Sequence, residues 1–152
     1  MLHRLHLPVL GLLAGLTAAA IAAAGTASAE PREFLAIEHT GADPVTDIGR
    51  TGDSTGDILT FSNDVFDAAN SNRIGSSQGS CVRMVVAVKW ECGWSVTLDQ
   101  GQLTLQGAYF DSGSSAFAVT GGTGEYTAAG GELIVSPIGT DGKASQFDFR
   151  LE

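Results

Sequence analysis

The chain has 152 residues and a formal net charge of −9, from 17 Asp/Glu against eight Lys/Arg. That length supports one domain with a modest core. The charge argues against nucleic acid, whose phosphates need clustered Lys and Arg, and against docking on anionic membranes, while acidity alone serves solubility; neutral or apolar small molecules remain as ligands.

The first 29 residues differ in kind from the rest. MLHRLHLPVLGLLAGLTAAAIAAAGTASA carries Arg4 near its start, no acid, a Leu/Ala/Gly run and then Ala27-Ser28-Ala29, the small-x-small pattern that a signal peptidase accepts. Cleavage after Ala29 is expected, which makes residues 30–152 a secreted domain without a membrane attachment. The alternative is an uncleaved anchor, since Leu7 to Ala24 is almost long enough to span. No cysteine follows the apolar run, which argues against a lipid anchor. Both cysteines, Cys81 and Cys92, fall in the exported part, where an even count suggests one disulfide. Of the histidines only His39 survives cleavage, so the donors for a metal site are missing.

From Phe34 onward, short runs of alternating character are broken by Gly, Asp, Asn and Ser. The predicted strands are FLAIEH (34–39), DILTFSNDVFD (57–67), SCVRMVVAV (80–88), KWECGWSVTL (89–98), QLTLQGAYF (102–110), SAFAVT (115–120), GELIVSPI (131–138) and SQFDFRLE (145–152). Period two recurs and no segment holds a helical apolar stripe for three turns. Such strands in so short a chain predict an all-β fold, a single eight-stranded antiparallel β-barrel, whose closure removes exposed edges and whose interior is filled or holds one small ligand. The polar stretch between His39 and Gly56 is expected to be a long surface loop.

The glycine-rich AVTGGTGEYTAAGGEL (118–133) is not a phosphate cradle. A dinucleotide fingerprint needs a helix after the tight turn, and here two further glycines and a strand pattern follow directly. It is expected to be a hairpin connection in which glycine permits positive φ.

The informative positions are polar residues on faces that otherwise point inward. Glu38 shares a face with Phe34 and Ala36, Asn63 with Leu59, Phe61 and Val65, and Tyr109 with Leu103 and Leu105. Cys81 shares one with Val85, with Arg83 between them. A buried amide or carboxylate costs several kcal/mol unless hydrogen-bonded. Such groups are either a structural network or solvated strand ends; on several strands of a closed barrel they converge on one cavity.

At these residues the sequence resembles a family. GDILTFSN (56–63), RIGSSQGSCV (73–82), GQLTLQGAYF (101–110) and FAVTGGTGEYTAAGGEL (117–133) look like the allene oxide cyclase barrel, and GSSQG with GGTGEYTAAGGEL is also similar to the dirigent proteins. The resemblance implies an eight-stranded antiparallel barrel, commonly trimeric, so a homo-oligomer is expected. It also implies roles: Glu38 for the glutamate that assists charge delocalisation, Asn63 for the asparagine that helps hold the epoxide-binding water, Cys81 for the cavity cysteine and Tyr109 for the cavity tyrosine. Phe61 would supply an aromatic wall, and Arg83 a ligand contact that could also hold Glu38 ionised. Two departures stand out. Thr40 replaces the family's asparagine, and the Ser-Pro pair of its loop has no counterpart at the right spacing, so most of the water cradle is missing. If the third and fourth strands turn near Val86–Ala87, Cys81 and Cys92 are directly opposed, which suits a disulfide and withdraws Cys81 from thiol chemistry.

Three readings stay open: an isomerase or cyclase without a cofactor, folding a small oxygenated hydrophobic ligand into one reactive conformer; a dirigent-like template for stereoselective coupling; and a non-catalytic binding or structural barrel.

Overall fold

The computed structural model describes residues 32–152; the expected leader and its cleavage position lie outside the described residues. Alternation becomes nine strands: β1 (Arg32–His39), β2 (Val45–Thr46), β3 (Ile58–Asp67), β4 (Arg73–Val85), β5 (Lys89–Leu98), β6 (Gly101–Phe110), β7 (Ser115–Gly122), β8 (Gly131–Ile138) and β9 (Ala144–Leu151). Consecutive strands from β3 to β9 pair as antiparallel neighbours, and β1 joins β9 on one side and β3 on the other. The eight long strands therefore close into a barrel, as alternation predicts.

Closure is incomplete at one seam. β1 pairs with only the far end of β3, from Asp64 to Asp67, whereas the two-residue β2 pairs with Ile58 and Leu59 on the same edge. The chain between β1 and β2 fills the gap: the Thr60 amide donates to the Pro44 carbonyl at 3.1 Å and the Gly41 amide to Asn63 Oδ1 at 2.8 Å. The stretch expected to be a plain surface loop is thus partly barrel wall. The reason is that an unpaired β3 edge must find other hydrogen-bond partners.

The interior differs from end to end. Phe149, Leu133, Leu103, Val96 and Phe117 are fully or almost fully buried, and Phe34 stacks on Phe149 with ring centroids 4.5 Å apart. That end is sealed by the glycine-rich stretch. It is not a bare hairpin: after β7 a single 3-10 turn, Gly124–Tyr126, drives Tyr126 inward to 3% exposure. Gly122 permits this approach, because a Cβ there would lie 2.4 Å from the Tyr126 carbonyl oxygen.

β4 starts seven residues earlier than alternation indicates, since Arg73–Gly79 is strand and not turn. Its glycines are there for close packing: a Cβ on Gly79 would lie 2.3 Å from Trp94 Cβ on the paired strand. The β4–β5 turn falls at Val86–Ala87–Val88, with Ala87 in the left-handed region at φ 56°. This register sets Cys81 opposite Cys92, and the two form a disulfide across the pair, Cα to Cα 4.0 Å.

Candidate functional site

Above the packed end the barrel leaves a cavity of about 200 Å³. Five inward positions marked by alternation line it together: Glu38 from β1, Phe61 and Asn63 from β3, Cys81 from β4 and Tyr109 from β6. Trp90, Trp94 and Phe147 complete aromatic walls, with Phe61 and Trp94 edge-to-face at 5.6 Å. Cys81 lines the cavity as half of the disulfide and not as a thiol.

The polar groups converge at the seam. Glu38 is 9% exposed, and its carboxyl accepts a short hydrogen bond from the Ser77 hydroxyl. Asn63 Oδ1 is occupied by the Gly41 amide, so its NH₂ group is the part that meets the carboxyls of Glu38 and Asp43. Burial pushes the Glu38 carboxyl above its ordinary value, against the hydrogen bonds from Ser77 and Asn63, and the Asp43 charge pushes the same way. Asp43 is also raised, mainly by burial, and its Oδ1 is buried with no partner. Tyr109 is raised by burial and by the carboxylates of Glu38, Asp111 and Asp43, so it stays a neutral phenol. Asn63 stands between the two acids, with its Oδ1 held by the Gly41 amide and its NH₂ group on the cavity side.

Arg83 is a correction. It lies six residues along β4 from Ser77, about 20 Å of strand, and does not line the cavity. Its Nε meets Asp53 Oδ1 at 2.7 Å, its Nη1 meets Asp111 Oδ2 at 2.6 Å, and its guanidinium carbon stacks 3.8 Å over the Trp90 ring. Trp90 is the partition, facing the cavity on one side and Arg83 on the other. Arg83 therefore contacts neither Glu38 nor a ligand in the cavity: its charge is already satisfied.

Three lining or supporting residues escape the sequence reading. Ser77 shares the inward face of Cys81 at period two, and Trp94 that of Cys92, so alternation held both signals. Asp43 lies in the seam loop and carries no periodic signal at all.

A family model described as allene oxide cyclase matches residues 39–139, two-thirds of the chain. The chain belongs to the allene oxide cyclase family. The matched stretch begins one residue after Glu38 and contains Asn63, Cys81 and Tyr109. Among solved structures, a pyocyanin demethylase is similar at 24% identity and TM-score 0.69, covering 80% of this chain and 100% of that one. A pterocarpan synthase dirigent protein has 13% identity and TM-score 0.67, over 80% and 87% of the two chains. An exo-specific intermolecular Diels-Alderase has 12% identity and TM-score 0.65, over 80% and 98%. At these identities the likeness is one of fold.

Proposed function

We propose that this family member is an exported isomerase or cyclase without a cofactor, acting on a compact, oxygenated, largely apolar molecule. The observation that carries this reading is an aromatic cavity whose ionisable groups are two carboxyls, held without a cationic partner, and a phenol. Leaving the Glu38 carboxyl buried without a cation is expensive for a scaffold and useful for a site.

The cavity is smaller than the roughly 300–1,000 Å³ of drug-sized sites. It suits a fused two-ring molecule, and a long fatty acid would leave most of its chain outside. Walls formed by Phe61, Trp94 and Phe147 hold the substrate in one conformer, so positioning supplies most of the rate. Glu38, fixed by Ser77 and Asn63, either moves a proton or stabilises positive charge as it develops. Related barrels whose names denote demethylation and cycloaddition support small-molecule chemistry in such a chamber. The Cys81–Cys92 disulfide supports export to an oxidising compartment. Exposed Val82, Met84, Val86 and Val88 on the β4–β5 hairpin support the expected self-association.

Native mass spectrometry of the secreted protein is the test. A co-purified organic adduct which, once extracted and followed by NMR, is rearranged on incubation with fresh wild-type protein and left unchanged by Glu38→Gln is the expected result. Retention of that conversion in Glu38→Gln overturns the role of the carboxyl. A product distribution that changes only when an oxidase is added favours the dirigent-like reading.

A further inference from the structure

We infer that the cavity selects a compact aromatic cation carrying an oxygen acceptor away from its charge, and that it rejects carboxylates. The inference rests on the cavity being a ligand site, as proposed above, and adds the charge and polarity of the ligand.

The first observation is the sign of the chamber. Glu38 and Asp43 are its only lining residues with a formal charge, and among the described residues no Lys, Arg or His lines it. The charges that act on Glu38 and Tyr109 are all carboxylates. This is not for want of bases in the chain. Arg32 pairs with Glu125, Arg73 with Asp64, Arg150 with Glu132 and Asp148, and Arg83 with Asp53 and Asp111. These guanidinium groups all meet acids outside the chamber; inside it the acids meet an amide, a hydroxyl and aromatic rings.

The walls point the same way. Phe61, Trp90, Trp94, Tyr109 and Phe147 line the space with aromatic rings, and an aromatic face attracts cations and repels anions. A desolvated cation bound between such faces and two carboxylates gains from both. A ligand carboxylate would be a third acid in the chamber with no cation to offset it.

Two orphaned atoms supply the polarity. Asp43 Oδ1 is a buried acceptor without a donor, and Trp94 Nε1 is a buried N–H donor without an acceptor. Each costs stability while unmet. A ligand that satisfies both presents a donor or positive charge to Asp43 and an oxygen lone pair to Trp94. A purely hydrocarbon ligand would satisfy neither.

The test uses three shape-matched compounds: 6-methoxy-1-methylquinolinium, the neutral 6-methoxy-1-methylnaphthalene and the anionic 6-methoxy-1-naphthoate. Calorimetry on the full secreted protein is expected to rank cation above neutral by about ten- to thirty-fold, the range of one desolvated cation–π and ion-pair contribution, with the naphthoate weakest. In the Glu38→Gln/Asp43→Asn double variant the cation-to-neutral ratio falls toward one. In Trp94→Phe the preference for the methoxy compound over 1-methylquinolinium is lost. Tighter binding of the neutral or anionic compound to wild-type protein overturns the inference and leaves the ligand cavity standing. Failure of all three to bind overturns both. The wild-type ranking needs no variant to fold.

Discussion

Glu38 and Arg83 look alike in the sequence: each is a charged residue on the inward face of a strand, and each is at least nine-tenths buried. Their surroundings are opposite. Arg83 is met by two carboxylates and the face of Trp90, and the Trp90 indole N–H donates to Asp111 at 3.0 Å, so the cluster pairs its own charges. Glu38 is met by Ser77, Asn63 and a second acid, so its charge is left uncompensated beside open space. Burial alone therefore does not mark a site. An internal charge paired with opposite charges is a fastening, and one without them is available to a ligand.

The largest expected effect tests the fastening. Arg83→Met removes the guanidinium that Asp53 and Asp111 share and leaves both without their cation. Breaking a buried pair by deleting one partner costs roughly 3–5 kcal/mol, and the partial exposure of both acids puts this case at the low end. Urea unfolding measures it; a loss below about 1 kcal/mol would make the cluster an ordinary surface network. Next is the disulfide that forms part of the cavity wall. Cys81 and Cys92 are 11 residues apart, and in the chain-entropy picture a loop of that order contributes about 2–3 kcal/mol. Cys81→Ala/Cys92→Ala is expected to lower the urea midpoint accordingly while leaving the Arg83 end intact, as read by hydrogen exchange of the Gly56 and Arg83 amides.

Alternation identified the face of each residue because the pleat has period two. It brought Glu38, Asn63, Phe61, Cys81 and Tyr109 to one cavity, and the register of the β4–β5 hairpin brought the cysteines together. It could not report depth along the barrel axis, so Arg83 on the same face as Cys81 was grouped with the wrong end. The GSSQG run falls outside the predicted strands because it holds no apolar alternation, yet here its Gly79 lets Trp94 approach, a requirement set by the neighbouring strand. Asp43 was invisible for a third reason. It is carried by the loop that closes the β3 edge, and that need exists only once β1 and β2 have taken their registers.

A smaller effect separates the two ends by the sign of a pH dependence. The Glu38 carboxyl, faced by Asp43 from the seam, Asn63 from β3, Ser77 from β4 and Tyr109 from β6, titrates higher in the folded protein than in the unfolded chain. The folded state holds that proton longer, so the stability it contributes is full below the ordinary carboxylate pKa and lost as pH rises through the folded-state value. Glu38→Gln removes the loss, and at neutral pH it is expected to stabilise by roughly 0.5–2 kcal/mol, as removal of a strained functional group does. A midpoint difference between variant and wild type that does not grow with pH would mean that Glu38 is compensated after all.

The smallest effect has the opposite sign. The buried Asp57 carboxylate, on the chain just before β3, accepts from the Ile48 amide at 2.9 Å, the Ser54 amide at 2.7 Å and the Ser54 hydroxyl at 3.0 Å. These bonds hold its carboxyl below the usual range. Its contribution is present above the unfolded pKa and lost as pH falls through the folded value. Asp57→Asn, with one acceptor in place of two, should therefore be destabilised at neutral pH and converge on wild type in acid, the mirror image of Glu38→Gln. Hydrogen exchange would place the loss at the Ile48 and Ser54 amides. Because Asp57 belongs to the Arg83 side of the Trp90 partition, the affinity of a cavity ligand should not follow it. If that affinity fell with the loop, Trp90 would be transmitting strain between the ends, and the separation of fastening from site would have to be redrawn around it.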